Sequence, residues 1–384
     1  MRRTPLAWRN LTHDLRRLAL ALAGIGFAVL LMSMELSFRQ AMFDSTVAVI
    51  RQSNADLFLT STAKYTIVVR ETFDKRRLTQ ALGCDGVVAA DPLYIETRFA
   101  IVKNKQTGEG QPIRVLAFDP DHPVFTLPQV NALLRELQLP DKVLFDVRSK
   151  PQYGDVTPGK TIELAERQEE VIGEFALGTD FTNDGNLITS DLTYRQLFPE
   201  RAVGADPLDE VDLGVLRVKP GRDPTQVQRE LQRLLPSDVT VLTKRQFEEQ
   251  ERQFWETSTP IGYVFWLGTL MGFIVGTVIC YQILYADIAD HLPEFATLKA
   301  MGYGNRYFVG VVLQEALLVS LLGFVPGIVI SQLICDLVAE MTGLLVSVHL
   351  GIAITVLLLS IAMCMVSGFL TMRRVMALDP ADLF

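Results

Sequence analysis

Three consecutive stretches decide how this chain is read: IGYVFWLGTLMGFIVGTVICYQILY (Ile261–Tyr285), ADIADHLPEFATLKAMGYGNRYF (Ala286–Phe308) and YFVGVVLQEALLVSLLGFVPGIVISQLICDLV (Tyr307–Val338). The first and third are each at least as long as the ~20 apolar residues a helix needs to cross a bilayer. The polar insert between them therefore lies at one membrane face. Within it, Pro293 suits the first turn of a helix, Glu294 complements the N-terminal dipole and Lys299 sits toward the C-terminal end. Gly302 and Gly304 end that helix. Phe295, Leu298 and Met301 recur at i, i+3 and i+6, giving it one apolar face. A short capped helix in a surface loop reads either as a docking peg for another protein or as an ordinary interfacial connector. The pattern alone weighs the two about equally.

Two further apolar runs, Leu18–Leu36 and Val346–Leu370, bring the number to four in a chain of 384 residues that is 49% hydrophobic. Only the third run exceeds one span, and its Pro326 and Gly327 suggest a kink or break. Any single run would fit a buried core helix. Four, with three in the last third of the chain, define an α-helical membrane protein with four transmembrane helices and an inserted α+β domain.

Charge sets the orientation. The stretch Arg39–Ser258 holds 27 of the 36 basic and 34 of the 44 acidic residues, a net charge of −7. The other basic residues are Arg2, Arg3, Arg9, Arg16, Arg17, Lys299, Arg306, Arg373 and Arg374, all before the first span, between the second and third, or after the fourth. The positive-inside rule then puts both termini and the Ala286–Phe308 loop in the cytoplasm. The expected organisation is residues 1–17 as a cytoplasmic amphipathic helix, 18–38 as transmembrane helix 1 and 39–258 as the periplasmic α+β domain. Transmembrane helix 2 follows over 259–285, a cytoplasmic coupling loop over 286–306 and transmembrane helix 3 over 307–338. A short periplasmic loop (339–345), transmembrane helix 4 (346–370) and a cytoplasmic tail (371–384) complete it. A cleaved signal peptide fits the first 40 residues poorly, because no A-x-A-like site follows the apolar run.

In the inserted domain, Arg39–Ser53 keeps helical spacing and extends the first helix. Strand patterns follow at Ala55–Leu59, Thr66–Arg70, Val87–Val102, Pro112–Phe118, Lys142–Ser149, Thr161–Leu164, Glu169–Ala176 and Leu187–Thr189. Asp74–Leu82 and Pro128–Leu137 read as helices. A strand–helix–strand unit covers Leu208–Val218, Asp223–Leu235 and Val239–Leu242, and the charged helix Lys244–Thr257 runs straight into the second span. Cys84 is the one cysteine outside the spans, so no disulfide forms within this domain.

No catalytic constellation and no metal-ligand spacing appears. There is no G-x-x-x-x-G-K-[ST], H-E-x-x-H or G-x-S-x-G, and the four histidines are scattered. Asp119, Asp121 and His122 fit a solvated turn. No cofactor is expected on the chain and no nucleic-acid partner. Of the ionisable residues inside spans, Glu35 and Asp336 lie near outer ends and Glu315 lies deep, favouring a packing or inter-helix hydrogen-bond role. Gly268, Gly272 and Gly276 in the second span, and Gly323 and Gly327 in the third, form small-residue faces for close packing. Packing within one subunit and a homodimer interface account for the first of these equally well.

The long domain after the first span, three clustered C-terminal spans and E-F-A-T-L-K-A-M-G (Glu294–Gly302) together resemble the FtsX-like permeases of MacB-type ABC transporters. The likeness extends through Gln314–Leu318, Gly323, Pro326-Gly327 and Ala377–Ala381. PLAW (Pro5–Trp8), AGIGFAVLLM (Ala23–Met32) and DHLPEFATLKAMGY (Asp290–Tyr303) are similar more narrowly to the DevC permeases. Over residues 54–258 only size and pattern match. The resemblance implies a homodimeric permease in the bacterial inner membrane, bound to a separate cytoplasmic ABC ATPase subunit that carries the ATP and Mg. The helix bearing Pro293, Glu294, Phe295, Thr297, Leu298, Lys299, Met301 and Gly302 would couple to that ATPase. It also implies a periplasmic membrane-fusion adaptor, a TolC-like outer-membrane duct and export of membrane lipid or other amphipathic cargo. A lipoprotein-releasing permease of the LolC/LolE kind and an FtsX-like activator of a cell-wall hydrolase share the layout.

Overall fold

The structure, a computed structural model, describes residues 15–180, 182–290, 297, 301, 304–342, 344 and 346–376. It divides into two compact units, one of residues 1–40, 261–339 and 346–384, the other of residues 41–260 and 340–345.

The first unit holds helices long and apolar enough to cross a membrane: Leu18–Thr46, Pro260–Ala286, Arg306–Thr342 and Leu350–Met372. Helices are the expected form, since hydrocarbon offers no partner for backbone N–H and C=O groups. Ile25, Ala28, Val29 and Met32 of the first span pack with Cys280, Ala316, Val356 and Met363 of the other three. Val264, Leu267, Met271, Ile274 and Val278 of the second span stay exposed, as befits side chains that meet lipid. The break suggested at Pro326 does not occur. One 38-residue helix, Asn305–Thr342, runs through it.

The second unit is built on a sheet whose strands are β1 (Leu57–Ser61), β2 (Phe73–Asp74), β3 (Val87–Glu96), β4 (Ile101–Lys103), β5 (Gly110–Pro112), β6 (Arg114–Phe118) and β7 (Lys142–Asp146). They continue as β8 (Thr161–Leu164), β9 (Arg167–Phe175), β10 (Asn186–Ser190), β11 (Glu210–Val211), β12 (Leu213–Val218) and β13 (Val239–Thr243). Among the described residues, eleven join in the order β13-β1-β12-β3-β6-β10-β7-β9-β8-β4-β5, while β11 and β2 form a separate pair. β6–β10 and β7–β9 are parallel, so the sheet is mixed.

Alternation along each strand sends side chains to two cores. Leu57 and Leu59 join Leu78, Val227 and Leu231 under helices Arg76–Leu82 and Pro224–Leu234. Phe58 joins Val49, Ile50 and Phe247 under helices Ala48–Gln52 and Lys244–Thr257. Covering both faces explains why β1, β6 and β10 are buried at every residue. At the β13 edge, the Val241 carbonyl accepts from Gln228 Nε2 (2.8 Å) and Gln232 Nε2 (3.2 Å), which blunts an edge otherwise open to strand pairing.

Several segments differ from their sequence reading. Thr66–Arg70 is not a strand, because the carboxylate of buried Glu251 takes its hydrogen bonds. Thr66 Oγ1 donates to Glu251 Oε1 (2.6 Å) and the Ile67 N–H to Oε2 (2.9 Å). Val87–Val102 is interrupted between β3 and β4, where Glu96 Oε1 accepts from the N–H groups of Arg98 and Phe99. Pro128–Leu137 is two short helices that meet at Leu133, whose φ is −114°. The first long helix ends at Thr46, and Val47 turns the chain before Ala48–Gln52. Lys244–Thr257 does not run unbroken into the second span; Pro260 opens a new helix after Ser258 and Thr259, since proline disfavours helical conformation in the residue before it. Helix Asp191–Leu197, absent from the sequence reading, starts where Ser190 Oγ accepts from the Thr193 N–H.

Arg201, buried, closes one of the polar clusters of this unit. It donates through Nη1 to Ile95 O (2.8 Å) and Glu96 Oε2 (3.1 Å), and through Nη2 to Asp212 Oδ2 (2.7 Å). Asp212 in turn accepts from the Ile95 N–H at 2.8 Å. Replacing one partner of such a set strands the others in low dielectric. Arg201→Met is therefore expected to cost about 3–5 kcal/mol, read as a lowered denaturation midpoint of the full chain; an unchanged midpoint would show that the two acids find other partners.

Candidate functional site

Two features of the membrane unit are candidates for function: the glycine-lined packing of the first span, and the polar segment between the second and third.

The glycines of the second span receive the first span. A Cβ on Gly268 would lie 2.6 Å from the Glu35 carboxyl carbon, one on Gly272 3.1 Å from Met32 Cγ, and one on Gly276 2.7 Å from Ala28 Cβ. Gly276 also meets Met363 of the fourth span. On the third span the approach is backbone to backbone. A Cβ on Gly327 would sit 2.7 Å from the Gly26 carbonyl oxygen, and one on Gly323 2.7 Å from Ile25 Cγ2. Ser33 Oγ donates to Ser331 Oγ across the same crossing (2.6 Å), and Ser367 Oγ ties the fourth span to the Thr277 carbonyl (2.7 Å). The Gly268, Gly272 and Gly276 face is thus occupied within the subunit. Glu315 is 2% exposed, inside the bundle.

Of the segment expected to couple, Thr297 and Met301 are described. Both are exposed, and the Met301 N–H donates to the Thr297 carbonyl at 3.0 Å, the i to i−4 bond of a helical turn. Pro293, Glu294, Phe295, Leu298, Lys299 and Gly302 lie outside the described residues, as do residues 1–14 and 377–384. Ile288 at the end of the second span, Phe308 and Val312 at the start of the third and Met372 near the end of the fourth form one buried cluster. That cluster fixes the stems from which the polar segment emerges.

In the inserted unit, Asp119, Asp121 and His122 form a turn: Asp119 Oδ1 accepts from the Asp121 N–H (3.0 Å), and the His122 N–H reaches the Asp119 carbonyl (2.9 Å). Among the described residues no group of three or more His, Cys, Asp or Glu could hold a metal, and all four cysteines are free and buried.

Three polar features escaped the sequence reading, the first two because their members lie apart in the chain. One is the Arg201 set. In the second, Arg114 donates to Asn186 Oδ1 (2.8 Å) and pairs with Asp180 (2.5 Å), while Asp146 accepts from the N–H groups of Leu177 and Gly178. Burial pushes the Asp180 carboxyl up, but Arg114 and the Thr182 hydroxyl and N–H pull it below its usual range. The third is Glu169 on β9, fully buried with neither carboxylate oxygen hydrogen-bonded. Burial, with Asp141 adding repulsion, pushes it up to about 7, against the pull of Arg167 and Lys142.

Residues 261–380 match the family described as FtsX-like permease C-terminal. Two uncharacterized ABC transporter permeases of Mycobacterium tuberculosis, from different strains, are each 27% identical over 111 residues, which is 29% of this chain and 31% of each relative. The matched stretch thus spans about a third of the length of those curated relatives. The periplasmic region of MacB from Actinobacillus actinomycetemcomitans is similar at a TM-score of 0.36 and 11% identity, covering 54% of this chain and 95% of that one. Residues 261–380, which hold three of the four helices long and apolar enough to cross a membrane, are thus similar to the C-terminal part of FtsX-like permeases.

Two outcomes follow from this geometry. Gly327→Ala should destabilise the membrane unit by about 1–3 kcal/mol, and more than Gly272→Ala does, because a carbonyl oxygen cannot yield where a Met32 side chain can. Aggregation midpoints in detergent test the order; equal midpoints would mean the spans separate freely. Glu169 makes stability depend on pH. Its folded value lies above the unfolded 4.5, so its contribution is fully present below about pH 4.5 and is lost as pH rises through about 7. Glu169→Gln should raise the melting temperature relative to the parent at pH 8 more than at pH 5; a difference that does not vary with pH would show Glu169 to be solvated.

Proposed function

We propose that this chain is the permease subunit of a tripartite ABC-type exporter, of the DevC kind. A separate cytoplasmic ATPase, carrying ATP and Mg, docks on the segment Pro293–Gly302. Closure of that ATPase moves the spans, and the motion reaches the inserted domain on the periplasmic side of the inner membrane. A membrane-fusion adaptor and a TolC-like duct then pass lipid or other amphipathic cargo outward, with two copies of the permease forming the working dimer.

The observation that supports this reading most directly is that the FtsX-like match, residues 261–380, contains the polar segment together with both spans that flank it. The exposed Thr297 and Met301, joined by one helical hydrogen bond, and the buried stem cluster of Ile288, Phe308, Val312 and Met372 support a docking element on a fixed base. The positive-inside charge pattern supports the cytoplasmic side for that element.

Co-purification from native membranes, followed by mass spectrometry, tests the assembly: an ATPase with an adaptor is expected. An ATPase with a cell-wall hydrolase, or with a second permease and no adaptor, would replace the exporter reading. In the reconstituted complex, Leu298→Asp should leave the permease inserted and cut its stimulation of ATP hydrolysis about tenfold or more, as for a charge placed in an apolar contact. Full stimulation by that variant would remove the coupling role from this helix.

A further inference from the structure

Among the described residues, Glu169 is the only buried acid whose two carboxylate oxygens both lack a hydrogen bond. A buried polar group without a partner costs free energy when neutral and far more when charged. The other buried acids of this unit are used: Glu96, Asp146, Asp212 and Glu251 each hold at least one backbone N–H. Glu169 holds none, so its place in the core needs a different cause.

The charges that act on it give it no partner. Asp141 repels it, Lys142 attracts it from the start of β7 but is paired with Glu170, and Arg167, on its own strand, donates to Gln196 Oε1 (3.4 Å). On β8, Ile162 lies directly opposite and adds no charge. Helix Asp191–Leu197 packs on the same core through Tyr194 and Leu197. Its Arg195 turns to Asp206 (3.1 Å), and its Tyr194 ring stacks on Tyr94.

Its place in the sheet matters as much as its burial. Outward from β9 come β8, β4 and β5, the last strands on that side. These three give the core Ile162, Leu164 and Val102, and their other side chains are exposed or half-buried. The β8–β9 turn adds strain: Ala165 (φ 48°) and Glu166 (φ 64°) hold left-handed backbone where a two-residue hairpin ordinarily places Asn-Gly. Regions with few buried apolar contacts are the first to open.

We propose that Glu169 is a proton-operated catch on this end of the sheet. Protonated, it lets β8, β4 and β5 close against β9; ionised, it draws water to β9 and the three outer strands open together. The opposite edge stays shut, because Gln228 and Gln232 tie β13 to the helix that backs it. The sign follows from burial, which favours the neutral carboxyl in the closed form and pushes it up to about 7. Closure is therefore complete in acid and weakens as pH rises through that value. This confines the effect of Glu169 to one end of the sheet. It stands apart from the exporter reading, since it needs only the inserted unit.

Hydrogen exchange of the full chain in detergent, read by mass spectrometry, tests this. Rates are expressed as protection factors, which removes the intrinsic effect of pH on exchange. Between about pH 5 and about pH 8, peptides covering β4–β5 and β8–β9 should lose protection about tenfold or more, while β1 and β13 keep theirs. Glu169→Gln, neutral and of the same shape, should hold the protection of those peptides at the higher pH. Glu169→Leu, a second neutral replacement without an amide, should do the same, so that a folding defect peculiar to one variant does not decide the outcome. Equal loss over the whole sheet would make Glu169 a contributor to global stability alone and overturn the proposal. So would protection that does not vary with pH in the parent, or the same pH dependence in both variants.

Discussion

The close approach of the first span to the glycines of the second and third is the constraint on which the membrane unit depends. Between helices in lipid the hydrophobic effect gives little net attraction, and association rests on packing and interhelical hydrogen bonds. Gly327 against the Gly26 carbonyl removes the side-chain layer between two backbones. Ser33 then reaches Ser331, a bond that lengthens at once if the crossing opens. The first span lies far from the other three in sequence, yet it supplies Ile25, Ala28, Val29 and Met32 to their common core.

The inserted unit solves a different problem. Its sheet is covered on both faces, so the segments that leave it must satisfy backbone groups without water. Buried charges perform that task. Glu251 holds the N–H of Ile67, Asp212 that of Ile95, Glu96 those of Arg98 and Phe99, and Asp146 those of Leu177 and Gly178. Glu251, Glu96 and Asp146 fix irregular chain that no strand pairs with, and Asp212 holds the end of β3. Burying such groups is costly even when paired, so their gain lies in holding one loop conformation, with the apolar cores supplying most of the stability. Glu169 is the exception. With neither oxygen hydrogen-bonded, it holds no loop and accounts for none of this order.

These differences explain what was legible in the sequence. Spans were readable because length and apolarity act locally, and the strands Thr161–Leu164 and Val239–Thr243 because their alternation does too. Helix Lys244–Thr257 was readable from its charge pattern, and its capping box at Thr243 and Gln246 is equally local. Thr66–Arg70 has a strand's composition but not its partner, and nothing in those five residues reveals Glu251 lying 185 positions away. The parallel pairing of β6 with β10 is likewise a property of contacts 72 residues apart. In the membrane unit, the glycine spacing identified which faces permit close packing. It left open whether the occupant is the same chain or another, because a small-residue face has the same spacing in both cases; the positions of Glu35, Met32 and Ala28 answer that for Gly268, Gly272 and Gly276.

A docking helix transmits force only if its stems resist being pulled apart. The buried cluster of Ile288, Phe308, Val312 and Met372 joins the ends of three spans at that point. On the proposed function, a push on the segment between the second and third spans is shared by the second, third and fourth spans at once. Among the described residues the first span adds none to that cluster, but it is held by the glycine contacts further along the bundle. Displacement of the stems thus reaches it through the Gly26–Gly327 crossing, where a backbone contact leaves no soft side chain to absorb the movement. On the proposed function, this makes the glycine crossing part of the coupling machinery as well as part of the fold.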